Sequence, residues 1–160
     1  LMGLKTAYDV DHESYLNHIH DLDYSVVGNH PELVDAIAKL PGRKLIFTNA
    51  SKRHAEALLA QLGLAAHFEG VFDIVEAGFQ SKPHQQPYDR ICAQYDIDPT
   101  KAAFFDDMSR NLPPAAAMGM RTVWLDCGNH EANHAKGHPD IHHTTEDLVG
   151  FLENEVLATM

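Results

Sequence analysis

The stretch Ala102-Ala103-Phe104-Phe105-Asp106-Asp107 sets four apolar residues directly before two carboxylates. A short apolar run of this kind is the pattern of a strand covered on both faces, and the acid pair marks where it leaves the core. Outward from it, Asn111 to Met118 carries helical spacing closed by Gly119, and Thr122 to Leu125 reads as another strand. The same alternation runs back toward the amino end. Arg43 to Thr48 contains the buried strand candidate Leu45-Ile46-Phe47, and Ser51 to Leu62 is a helix with Ala55, Leu58, Leu59 and Leu62 inward, closed by Gly63. Gly70 to Val75 is a second strand candidate and Gln85 to Tyr95 a second helix. After Leu125 a polar, His-rich loop precedes a last helix from about Thr145 to Leu157. Strands alternating with helices specify an α/β architecture, a parallel sheet flanked by helices. In such sheets sites gather at the carboxyl ends of the strands, which selects Thr48-Asn49, Ser81-Lys82-Pro83 and Asp106-Asp107.

Residues 1–27 read differently. Tyr15, Ile19 and Leu22 fall at helical spacing with Asp11 as a cap, in a stretch rich in polar residues. Gly28-Asn29-His30-Pro31 is a turn, and Leu33, Ile37 and Leu40 form the stripe of a helix that Pro31 opens and Pro41-Gly42 ends. The whole chain has 160 residues, 12 Lys+Arg against 23 Asp+Glu, a formal charge of −11 and 44% hydrophobic residues. That length suits one domain with a fragment of a second, and the composition argues against disorder. The acid excess argues against nucleic-acid or anionic-membrane partners. A phosphate substrate then needs a local cation or a metal. Cys92 and Cys127 form neither a disulfide framework nor a zinc pattern, which fits the cytoplasm. No apolar run approaches the ~18 residues of a membrane span.

Two adjacent carboxylates at a buried strand end are costly unless a cation compensates them. Hard oxygen ligands in a half-open site suit Mg²⁺, which takes one or two carboxylates plus water and substrate phosphate. Asp107 capping the next helix is the plainer reading of the same pair. Thr48-Asn49 brings a hydroxyl, an amide and backbone N–H groups to a helix start, an anion cradle or a simple N-cap. Lys82, held by Pro83 before a helix, serves as a point charge for phosphate or as a solvated loop lysine. His130, His134, His138 and His142 recur every four residues with His143 beside them, but Gly128, Gly137 and Pro139 break any helix, leaving a solvated loop. Metal storage or sensing through these histidines is the weakest of the functional readings.

Taken in order, strand-Thr48-Asn49, Lys82-Pro83 and strand-Asp106-Asp107 resemble motifs two to four of the haloacid dehalogenase superfamily of phosphatases. Ile46-Phe47-Thr48-Asn49-Ala50-Ser51, His54-Ala55, Leu62-Gly63-Leu64, Phe68-Glu69-Gly70 and Phe105-Asp106-Asp107 through Asn111-Leu112 to Gly119-Met120-Arg121-Thr122-Val123 look like its pyrimidine 5′-nucleotidase branch. Tyr15 to Ser25 resembles the end of that branch's inserted helical cap, so the expected division is a cap remnant over 1–27 and a Rossmann-like core over 28–160. The resemblance implies a Mg²⁺-dependent phosphatase acting on a small phosphate monoester, a nucleoside 5′-monophosphate, through an aspartyl-phosphate. It assigns Thr48 and the Asn49 backbone N–H to the phosphoryl group, Lys82 to charge balance, Asp106 and Asp107 to Mg²⁺, with Asp107 the more direct ligand, and Asn111 to ordering the acidic loop. Met108 stands where many relatives carry a small polar residue.

The family's nucleophile lies in Asp-x-Asp-x-Thr/Ser at the end of an apolar strand. Asp21-Leu22-Asp23-Tyr24-Ser25 fits the letters, but Tyr15-Leu16-Asn17-His18-Ile19-His20 ahead of it is polar and helical, so Asp21 reads as a decoy. The expectation is a chain that starts within the cap, lacks the first (nucleophile) strand of its sheet and is inactive by itself. Two alternatives stand beside it: the same fold acting on a sugar phosphate, phosphoglycolate or a 2-haloacid, and a non-catalytic module of the same fold.

Overall fold

A computed structural model of the chain describes Leu16, residues 22–128 and residues 137–159. Of the helix read through Tyr15, Ile19 and Leu22, only Leu22 and the intervening Leu16 are described; Leu16 is buried and Leu22 is 55% exposed. Asp11, Tyr15, Ile19 and Asp21 lie outside the described residues. The chain forms two compact units, Leu1–Ser81 and Lys82–Met160.

In the first unit, α1 (Pro31–Lys39) starts on a proline whose fixed φ suits a first helical turn, and stops before Pro41. β1 (Leu45–Phe47) follows, then α2 (Lys52–Gln61), capped by the Ser51 hydroxyl, which accepts from the His54 N–H. β2 (Gly70–Phe72) runs parallel to β1, with Leu45 opposite Gly70 and Phe47 opposite Phe72. Ala55, Leu59, Leu64 and Val71 are the buried centre, with Leu33, Val34, Ile37, Ile46, Leu62 and Phe68 packed around them. The helical stripes at i, i+3 and i+4 thus converge on the faces of the two strands, where burial is worth ~25 cal/mol per Å² of apolar surface.

In the second unit, α3 (Gln85–Tyr95) leads to β3 (Ala103–Asp106), a 3₁₀ turn at Ser109–Asn111, α4 (Leu112–Ala117) and β4 (Arg121–Leu125). β5 (His143–Thr145) and α5 (Leu148–Phe151) complete it, α5 widening into a π turn over Leu152–Val156. The sheet order is β3-β4-β5, all parallel, with Phe105 opposite Val123 and Trp124 opposite Thr144. Leu112 and Trp124 are fully buried, with Phe104 and Ile141 against them.

The α/β architecture with parallel strands and flanking helices is as the alternation requires. Several details differ from the local reading. The described strands form two sheets rather than one, of two and three strands. β5 occupies part of what reads as loop and helix start, because His143-Thr144-Thr145 is held by β4, a partner remote in sequence. The last helix therefore begins after Thr145, where the Asp147 carboxylate accepts from the Gly150 N–H. The helix expected from Asn111 begins at Leu112, with Pro113 and Pro114 in its first turn, where their missing N–H groups cost nothing. No helix among the described residues is long and apolar enough to cross a membrane.

Candidate active site

Alternation along β3 decides which way its side chains face. Phe104 packs on the Leu112–Trp124 core, Phe105 is 38% exposed, and Asp106 returns to the Phe104 side, 9% exposed. A carboxylate so buried needs partners, and Asp106 has three. Its Oδ2 accepts from Lys82 Nζ at 2.6 Å. Its Oδ1 accepts from the Met108 N–H at 2.8 Å and from Asn111 Nδ2 at 2.9 Å. The Lys82 and Asp106 side chains are 8% and 5% exposed, so each charge depends on the other. Lys82 Nζ also stands 5.3 Å from the centroid of the Phe104 ring, whose negative face favours the ammonium. Met108 enters this network through its backbone N–H, so the bond to Asp106 needs no particular side chain there.

Asp107 is the opposite case. Its carbonyl accepts from Trp124 Nε1 at 3.0 Å, which anchors the backbone, while its side chain is exposed and engages no described residue in a hydrogen bond. Asn111 is 3% exposed and its Oδ1 has no hydrogen-bond partner among the described residues. An orphaned buried acceptor of this kind calls for an incoming donor. An exposed carboxylate, a second carboxylate behind it and a free amide oxygen are hard oxygen donors, and they fit a Mg²⁺ ion that keeps part of its water. Among the described residues no three His, Cys, Asp or Glu side chains converge on a metal-sized point, and Mg²⁺ does not require three.

Sequence reasoning gave no sign of Tyr88. It lies on the i, i+3, i+4 stripe with Ile91 and Cys92, all buried, and so reads as core. Its hydroxyl donates to the Asn111 carbonyl at 2.6 Å, and its ring meets Phe104 edge-on with centroids 5.6 Å apart. Burial, reinforced by the Asp106 charge, pushes the Tyr88 phenol well above the usual tyrosine range and keeps it a donor.

Thr48 and Asn49 follow β1 in the first unit; Lys82, Asp106, Asp107 and Asn111 belong to the second, where the structure brings Lys82, Asp106 and Asn111 into direct contact. The Thr48 N–H donates to the Phe72 carbonyl and its hydroxyl oxygen accepts from the Ala50 N–H at 3.0 Å. At the α2 start the Lys52 N–H is already engaged. Asp73, 4% exposed at the end of β2, accepts from the Lys52 N–H at 2.8 Å and from the Val75 and Glu76 N–H groups. Asp73 did carry a legible signal, since Val71-Phe72-Asp73 repeats the apolar-run-then-acid pattern of Phe104-Phe105-Asp106.

His130 and His134 lie outside the described residues. His142 meets Thr122, its Nδ1 accepting from the Thr122 N–H at 3.1 Å, and His138 approaches Asp140 at 3.8 Å. His54 shares a 2.9 Å hydrogen bond with the Tyr24 hydroxyl. Cys92 is buried and Cys127 exposed, both as free thiols.

The profile of the haloacid dehalogenase-like hydrolases matches residues 5–119. Fructose-1-phosphate phosphatase of Escherichia coli is 35% identical over 96 residues, covering 57% of this chain and 49% of the relative. N-acetylmuramic acid 6-phosphate phosphatase of Pseudomonas aeruginosa is 31% identical over 98 residues, covering 61% and 43%. The chain thus spans about half the length of these curated relatives. In fold it is similar to a dehalogenase solved as an intermediate complex, with a TM-score of 0.67 at 18% identity over 95% of this chain and 67% of that one. L-2-haloacid dehalogenase of Xanthobacter autotrophicus gives 0.64 at 18% identity over 81% and 62%.

Proposed function

Because the chain belongs to the haloacid dehalogenase-like hydrolases, we propose that it carries the phosphate-handling residues of a Mg²⁺-dependent phosphomonoester hydrolase. The observation that supports this reading is the buried Lys82–Asp106–Asn111 network with the exposed Asp107 carboxylate next to it. The charges of Lys82, Asp106 and Asp107 sum to −1, which repels a phosphate dianion until a divalent cation reverses the sign. Asp107 is the group assigned to hold Mg²⁺, with Asp106 behind it. When bound, Mg²⁺ would polarise a phosphoryl oxygen and offset the charge that develops on it. Lys82 then serves as a fixed positive point, held by Asp106 and the Phe104 face, and Asn111 keeps the acidic loop in register. The resemblance assigns the Thr48 hydroxyl and the Asn49 backbone N–H to the phosphoryl group. It assigns attack on phosphorus to an aspartate of an Asp-x-Asp-x-Thr/Ser motif, a group other than Asp106 and Asp107.

For the substrate, the likeness at Ile46–Ser51, Lys82-Pro83 and Phe105–Val123 favours a pyrimidine nucleoside 5′-monophosphate. The sugar-phosphate names of both curated relatives favour a sugar phosphate as the second reading. The free thiols and acid excess fit a cytoplasmic enzyme without a nucleic-acid partner. The test is phosphate release from uridine and cytidine 5′-monophosphates, fructose 1-phosphate and N-acetylmuramic acid 6-phosphate by the gene product that carries these residues. Mg²⁺-dependent release, fastest from the pyrimidine nucleotides and lost in Asp107→Asn, is expected. Faster turnover of the sugar phosphates selects the second reading, and turnover indifferent to chelator and to Asp107→Asn refutes the Mg²⁺ site.

A further inference from the structure

Tyr88 braces the acidic site from two sides. Its hydroxyl donates to the Asn111 carbonyl at 2.6 Å, and Asn111 Nδ2 donates to Asp106 Oδ1. Its ring edge lies against Phe104, with 5.6 Å between centroids and 73° between planes, and the Phe104 face carries Lys82 Nζ at 5.3 Å. Lys82 binds the other oxygen of the same carboxylate, Oδ2, at 2.6 Å. One fully buried side chain on α3 therefore supports the partners of both Asp106 oxygens.

We propose that Tyr88 is a positioning residue for the cation site at Asp106–Asp107, fixing the loop at Asn111 through its O–H and the Phe104 face through its ring. The proposal rests on the reading of that site as a Mg²⁺ site. Asp107 follows Asp106 directly and belongs to the same loop, so a shift of the Ser109–Asn111 turn changes the aim of both carboxylates. Groups that orient ligands without touching the ion commonly set its affinity by about ten- to hundredfold. A purely structural tyrosine makes a different forecast: removing its hydroxyl alone alters thermal stability and leaves cation affinity alone.

The test is a Mn²⁺ titration, read by electron paramagnetic resonance, of the purified protein and its Tyr88→Phe and Asp107→Asn variants. Loss of binding in Asp107→Asn together with about tenfold weaker binding in Tyr88→Phe is expected. 4-Aminophenylalanine at position 88, which restores an N–H donor, is expected to recover most of that affinity. Lost binding in Asp107→Asn with unchanged affinity in Tyr88→Phe overturns the role of Tyr88 and leaves the metal site standing. Unchanged binding in Asp107→Asn overturns the metal site, and this proposal with it. A measurement on the unmutated protein covers the case in which Tyr88→Phe does not fold. The ¹³Cζ resonance of Tyr88, which reports its hydrogen bond, is expected to move on Mg²⁺ addition, and an unmoved resonance overturns the proposal.

Discussion

Replacing Lys82 by methionine isolates the energetic logic of the site. Methionine keeps most of the apolar stem and removes the ammonium. Asp106, with a side chain 5% exposed, then keeps the Met108 and Asn111 N–H donors on Oδ1 and loses the charged partner on Oδ2. Breaking a buried pair from one side costs about 3–5 kcal/mol, and the two retained bonds put this case near the lower end, about 3 kcal/mol. Trp124 is the single tryptophan and is fully buried beside Leu112, so its fluorescence in urea follows unfolding of the second unit. With a urea dependence of ~2 kcal/mol per molar, the midpoint falls by about 1.5 M. Adding Asp106→Asn removes the stranded charge but leaves an amide oxygen for the same two N–H groups. The double variant is therefore expected to be more stable than Lys82→Met alone. A cost below ~1 kcal/mol for Lys82→Met, the behaviour of a surface pair, refutes the reasoning, as does a double variant less stable than the single one.

Two other outcomes follow from the same geometry. The Tyr88 phenol is held above its ordinary value of 10.0 by burial and by Asp106, so the folded state binds its proton more tightly than the unfolded state. Its contribution is then complete below pH 10 and is lost as the pH rises above that value toward the folded-state pKa; urea midpoints between pH 8 and 11 should fall more steeply for the wild type than for Tyr88→Phe. Asp73→Ala strips the acceptor from the Lys52, Val75 and Glu76 N–H groups in a residue 4% exposed, and about 2 kcal/mol of the first unit's stability is expected to go with it. Hydrogen exchange at those three amides checks this, and unchanged protection contradicts it.

The contrast between Asp106 and Asp107 explains why two adjacent aspartates differ in their surroundings. A strand delivers successive side chains to opposite faces, and the chain turns out of β3 at Asp106. Asp106 is directed into protein, where Lys82 and Asn111 are waiting, and Asp107 into solvent, where a cation can reach it. A carboxylate already satisfied by three donors is a poor first ligand and a good orienting group.

By itself the sequence determined the alternating elements, because the runs Leu45-Ile46-Phe47 and Phe104-Phe105 and the stripes of α1, α2 and α3 are local patterns with local causes. It also determined the strand-end positions of Thr48, Asp106 and Asp107, since an apolar run followed by polar residues marks where a strand leaves the core. Tertiary structure alone decided what those residues touch. Lys82 and Asp106 are 24 positions apart, Tyr88 and Asn111 are 23 apart, and nothing in their spacing specifies a contact. β5 went unread because three residues make a strand only when β4 offers them an edge. In sequence Tyr88 falls on a stripe with Ile91 and Cys92, where a core side chain and one that braces a site leave the same pattern. The hydroxyl that separates the two becomes informative only once its acceptor, the Asn111 carbonyl, is in place.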